Sequence, residues 1–234
     1  MRTVFSISRR GVVLILVSSF LSASVSAVDL SQLSNKDANS GLKAALEQGA
    51  NAALSKLGVA DGFLGNDKVK IPLPSFLEKA KPLLKLSGQG KQLDELVIAM
   101  NRAAESAVPM AKPLLINAIK TMSVTDAKNI LTGGDTSVTD FFRQKTSTAL
   151  GAKFAPIVKG VTDKVGLANK YNTVMGKAQK LGAVPENEAT VESYVSGRAV
   201  DALYTMIAEE EKKIRQDPIG TGSKIIGKVF GLLK

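Results

Sequence analysis

The sequence predicts an all-α fold, a single-domain bundle of short helices with proline and glycine breaks. Three observations carry this reading. No segment alternates apolar and polar residues with the period of a half-buried strand. Apolar residues recur instead at helical spacing, most clearly Leu93, Leu96, Val97, Met100 and Ala104. Prolines and glycines fall between these runs, where chain direction must change. A chain of 234 residues is long enough to bury a sizeable core in one domain.

Residues 1–27 stand apart from that domain. Arg2, Arg9 and Arg10 form a basic start, Gly11 to Leu21 is mostly apolar, and Val25-Ser26-Ala27 is a small-x-small cleavage site. This is the pattern of a secretory signal peptide cut after Ala27. The alternative is a membrane anchor, but the apolar run is short for a bilayer. Arg9-Arg10 with the following Gly11-Val12-Val13-Leu14 suggests the twin-arginine route, while the core is as apolar as a general secretory one. The export route stays open between them.

Val28 to Asn39 is expected to be a loose lead-in, and residues 40–234 the helical domain. Ser40 should cap a helix carrying Leu42, Leu46, Ala53 and Leu57, which ends at Gly58. Asp61 to Asp67 is a turn-rich loop, and Val69 to Pro74 runs extended because Pro72 and Pro74 forbid a helix. A helix restarts near Ser75 and stops by Gly88 or Gly90. The next spans Gln92 to Ala107, and Pro109 and Pro113 interrupt the pattern before Leu114 to Met122. Lys81-Pro82-Leu83-Leu84 recurs as Lys112-Pro113-Leu114-Leu115, and both read as helix breaks with an apolar restart. Ser123 to Asp126 opens a short helix to Leu131. After the Gly133-Gly134 break, helices are expected over Val138 to Leu150, Pro156 to Val165 and Ala168 to Leu181. Thr190 to Gln216 should be one long helix stopped at Pro218, and Ser223 to Leu233 a last amphipathic one.

The chain has no histidine, cysteine or tryptophan. That removes Cys and His metal sites and histidine-dependent nucleophiles. Ser87 to Lys91 has the wrong spacing for a phosphate loop, and Asp61 to Asp67 is too short for an EF-hand. Neither a cofactor nor a metal is expected. Export would remove Arg2, Arg9 and Arg10 from 31 basic residues, leaving 28 against 21 acidic ones and a net charge of +7. The charges are dispersed and aromatics few, so they read as solvated helix faces, not a nucleic-acid surface. No later stretch is long and apolar enough to span a bilayer, so the mature protein is expected to be soluble.

Three polar groups interrupt the apolar pattern. Asn101, Arg102 and Glu105 share a helix with small alanines, and either bind an anionic ligand or fix helix register. Asp135, Thr136, Thr139, Asp140 and Arg143 surround a helix start. Asp135 or Thr136 is expected to cap it; the alternative anion site is opposed by the charge of Asp135. Glu209 to Arg215 reads as a solvated face with Glu209–Lys213 and Glu211–Arg215 pairs; the alternative is that Glu210, close behind Met206 and Ile207, points inward, where Arg102 or Arg143 would be its partner. All three groups are expected to meet in space.

The same stretches carry a resemblance. Asp61-Gly62-Phe63, Ile71-Pro72-Leu73-Pro74, Met100 to Glu105, Gly134-Asp135 with Thr139, and Ile207 to Glu211 with Ile214-Arg215 and Pro218 are similar, in order, to the bacterial domain-of-unknown-function family numbered 4197. The match runs from about Gly41 to Phe230. Phe141-Phe142 is compatible with that pattern's aromatic after Asp140. The resemblance implies an exported, periplasmic helical protein of a Gram-negative bacterium, and no activity or catalytic residue.

The leading expectation is a non-enzymatic binding or interaction protein, with an unknown protein or small ligand as partner and no nucleic acid. Its rival is a carboxylate-based or cation-dependent hydrolase using Asp135, Asp140 or Glu210. The last helix, with Ile225, Ile226, Val229, Phe230 and Leu233 on one face, either caps the core or lies on an anionic membrane.

Overall fold

A computed structural model of the protein describes residues 35–231; the expected leader and residues 28–34 and 232–234 lie outside it. Every regular element among the described residues is helical. The first helix, α1 (Asn35–Leu57), starts upstream of the expected Ser40 cap. No proline or glycine breaks Asn35 to Asn39, and Ala38 already packs on the core. Leu42, Leu46, Ala50, Ala53 and Leu57 form its buried stripe. The chain then turns at Asp61, which has a left-handed φ of 64°. Gly62 follows because a Cβ there would lie 2.5 Å from the carbonyl oxygen of Leu57.

Val69, expected to begin an extended run, instead closes a turn on the Asn66 carbonyl, and residues 71–74 lead to α2 (Ser75–Leu86), which packs on α3 (Gly90–Ala107). A short 3-10 turn, Val108–Met110, leads to α4 (Ala111–Lys120). Pro113 fits the first turn of α4, where its missing N–H would have no partner anyway. Ser123 and Asp126 cap α5 (Val124–Thr132) reciprocally, each side chain taking the other's backbone N–H at 3.0 Å.

The centre is α6 (Ser137–Thr162) packed against α8 (Val191–Gln216), with α3 across α6 and α1 against α8. Phe142, Phe154, Leu96, Met100, Leu203 and Tyr204 are fully buried there. The Tyr204 hydroxyl lies 2.9 Å from that of Thr146. One helix replaces the two expected over 138–165, since α6 continues through Pro156. Likewise Pro82 lies inside α2 and does not break it. Both prolines are exposed, as are Ala152 and Glu78 four residues earlier, so water can serve the carbonyls they leave unpaired. Buried Phe154 and Val158 hold α6 on either side of its proline.

α7 (Gly166–Lys180) packs on α3 and α8. Asn172 of α7 receives the N–H of Val191 at 2.8 Å, and the hydroxyl of Thr190 that of Ser193 at 3.0 Å, so α8 starts well capped. The last helix, α9 (Lys224–Gly231), lays Ile226, Val229 and Phe230 against α1, which is the core-capping arrangement.

Candidate functional site

The polar residues of α3 act as clamps on the preceding loop. Asn101 is fully buried and treats Ile71 as a strand would. Its side chain accepts the Ile71 N–H at 2.8 Å and donates to the Ile71 carbonyl at 2.9 Å, and also to the Val97 carbonyl at 2.8 Å. An extended segment with prolines cannot satisfy itself, so one amide on the helix does it. Glu105, also buried, accepts the N–H groups of Phe63 and Leu64 at 3.0 and 3.2 Å. Arg102 neutralises Glu105 at 2.7 Å and reaches Asp61 at 2.8 Å. Those two carboxylates, Glu105 foremost, raise the Arg102 pKa. In this arrangement the trio ties the preceding loop to α3, each of its three side chains bonded within the fold.

The start of α6 is capped from another helix. The side chains of Asp135 and Thr136 do not cap it, contrary to the sequence expectation: Thr136 donates its hydroxyl to Asp140 at 3.0 Å instead. The acceptor is Glu211 of α8, which takes the N–H of Val138 at 3.0 Å and the N–H and hydroxyl of Thr139 at 3.1 Å each. Arg215 then binds Glu211 through two nitrogens at 3.1 and 3.0 Å. It also donates to the carbonyl of Ile130 at 3.1 Å and the hydroxyl of Ser137 at 2.6 Å. One ion pair therefore serves the Ile130 carbonyl near the end of α5 and two N–H groups starting α6. Gly133 sits at the crossing, where a Cβ would lie 2.6 Å from both the Asn129 carbonyl oxygen and the Ser137 side chain. The anion site that a helix N-terminus can provide is already filled by the protein's own carboxylate.

The three polar groups do not converge. Glu210 turns partly inward but pairs with Lys56 and Lys213, not with Arg102 or Arg143. Burial raises its pKa, and the two lysines together outweigh burial and hold it below the ordinary value. Arg143 pairs with Asp201 at 3.1 Å and stacks 4.7 Å above the ring of Tyr204. Each arginine has a carboxylate on its own or a neighbouring element, so neither reaches across the bundle.

Of several open grooves, one of about 560 Å³ lies between the start of α6 and the middle of α8. Thr139 and Tyr204 form its floor. Asp135, Asp140 and Arg143 line it from the start of α6, and Glu209 and Lys212 from α8, with Glu209 paired to Lys68 at 2.6 Å. This brings Asp135, Thr139 and Arg143 together, while Asn101, Arg102, Glu105 and Glu210 lie elsewhere. Tyr204 and Lys212 were not among the residues singled out from sequence. Nothing in the sequence sets Tyr204 apart from Tyr171 and Tyr194, and burial raises the pKa of all three. Among the described residues no group of three or more His, Cys, Asp or Glu is placed to hold a metal ion.

Comparison with curated proteins and with solved structures gives no match. A family model described as "Protein of unknown function (DUF4197)" matches residues 32–231, most of the chain including α3, the α5–α6 junction and α8. The protein therefore belongs to the DUF4197 family.

Proposed function

We propose that the protein is exported to the periplasm and works there as a non-enzymatic binding protein, taking a small polar ligand or a polar segment of another protein into the α6–α8 groove. The observation that carries this reading is the oriented cation among the residues that line the groove. Arg143 is held over the buried ring of Tyr204 and tied to Asp201, so it meets a ligand with little further loss of freedom. Charges of both signs around it suit a zwitterionic or mixed-charge group. The leader-like residues 1–27 support export.

The rival hydrolase draws less support. An acid catalyst needs a carboxyl that keeps its proton near neutral pH, whereas Lys56 and Lys213 favour the ionised form of Glu210. Glu211 is spent on the α6 cap. Native mass spectrometry of protein taken from its own periplasm tests the proposal. A bound species is expected on the wild type and lost with Arg143→Ala. A ligand-free wild type, or a ligand retained by the variant, overturns it. N-terminal sequencing of the same sample should begin at Val28.

A further inference from the structure

α2 carries two adjoining apolar stripes, and only one of them is used in the fold. Leu77 is buried, and Leu84 packs partly on the core; these face α3. Phe76, Leu83 and Leu86 lie on the next stripe round the helix and remain 49, 71 and 87 % exposed. Nothing among the described residues covers them. Three large apolar side chains on one short helix exceed the scattered exposure that a surface normally shows.

The charge on α2 is mostly basic, with Glu188 held at its first residue by a 2.8 Å hydrogen bond from Ser75. α2 holds three lysines and one glutamate. Lys81 pairs with Glu78 at 3.5 Å, while Lys79 and Lys85 are exposed and have no carboxylate partner among the described residues. Lys79 lies one turn from both Phe76 and Leu83, so cation and apolar groups share a face. The neighbouring α7, also packed on α3, repeats the combination, exposing Val174 and Leu181 with Lys177 and Lys180 in the same helix turns.

We infer that α2 docks the protein onto an anionic phospholipid surface. Phe76, Leu83 and Leu86 enter the boundary between headgroups and acyl chains, and Lys79 and Lys85 meet lipid phosphates. Their long stems let the lysines stay at headgroup depth while the leucines go deeper. No helix among the described residues is long and apolar enough to cross a membrane, so α2 lies on the surface. A second copy of the chain is the less suited occupant. Two-fold pairing of this stripe would bury Lys79, which lies one turn from both Phe76 and Leu83 and has no carboxylate partner among the described residues, towards the same lysine of the other copy. The inference stands apart from the groove and does not depend on its ligand.

The test is flotation of the mature protein with vesicles of phosphatidylglycerol and phosphatidylethanolamine, against vesicles of phosphatidylcholine alone. Binding is expected on the anionic vesicles and is weakened by salt. Lys79→Gln with Lys85→Gln should weaken it roughly thirty-fold, about five-fold per lysine near the surface. Leu83→Ser with Leu86→Ser should weaken it more than about ten-fold. Because these four side chains face solvent, both double variants should keep the wild-type thermal melt, which shows that any loss is not unfolding. Absence of anionic binding, or binding unchanged in either variant, overturns the inference. So does a concentration-dependent dimer abolished by Leu83→Ser with Leu86→Ser without vesicle binding, since it would give the stripe to a second copy.

Discussion

Replacing Glu211 by alanine should be among the most damaging single changes in the molecule. The carboxylate is 2 % exposed and Arg215 beside it 14 %. Truncation strips acceptors from the N–H groups of Val138 and Thr139, both buried, and leaves Arg215 without its counter-charge. Losing a cap costs about 0.5–2 kcal/mol. A buried charge deprived of its partner costs about 3–5 kcal/mol, and the two losses overlap. We expect a total of about 4 kcal/mol, which for a domain of this size lowers Tm by roughly 8–16 °C. Urea unfolding followed by helical circular dichroism measures it. Arg215→Ala and the double variant complete a cycle. Residues acting as one unit should give a double-variant loss smaller than the sum by more than about 1 kcal/mol. A loss below about 1 kcal/mol for Glu211→Ala would refute the reasoning, because water would then be serving the start of α6.

Asn101→Ala should cost about 3 kcal/mol in the same assay, since it leaves both backbone groups of buried Ile71 unpaired. Arg102→Ala, whose guanidinium is partly in water, should cost clearly less than Glu105→Ala. In base, burial raises the pKa of all three tyrosines, Tyr171 to about 12. The folded protein then keeps protons that an unfolded chain releases, so this stabilisation is complete below pH 10.0 and lost as pH climbs towards about 12. Near-ultraviolet phenolate absorbance should accordingly rise late and together with unfolding; an early, separate rise for any tyrosine would count against its burial. Truncation after Pro218 removes Ile226, Val229 and Phe230 from the surface of α1. At roughly 1.5–3 kcal/mol for each buried side chain it should yield an aggregating or loosely packed protein, and a normal melt would show α9 to be dispensable.

Helix existence was legible because it rests on short-range periodicity, as at Leu93, Leu96 and Met100. Where the reading failed, distance in sequence or solvent was the cause. Pro82 and Pro156 read as breaks only until their exposure is known. The cap of α6 was sought at Asp135 and Thr136, whereas its acceptor lies more than seventy residues away on α8. One clue was present. Leu203, Ile207, Glu211 and Ile214 follow helical spacing and are all buried, which selects Glu211, not Glu210, as the inward carboxylate. Choosing Glu210 led to a convergence of polar groups that the fold does not make. Asp135, Thr139 and Arg143 do share the groove, because they lie within nine residues on or beside the first turns of one helix.

The central claim is that buried side-chain acceptors on α3 and α8 hold backbone groups that secondary structure leaves free. Amide hydrogen exchange, read residue by residue, tests it most directly. Phe63, Leu64 and Ile71 lie outside helices, and Val138 and Thr139 lie in a first helical turn. Amides in such places ordinarily exchange fast. Bound to Glu105, Asn101 and Glu211, these five should exchange slowly, while the amides of exposed Asp135 and Thr136 exchange fast. Exchange of the five at the rate of those exposed amides would contradict the account.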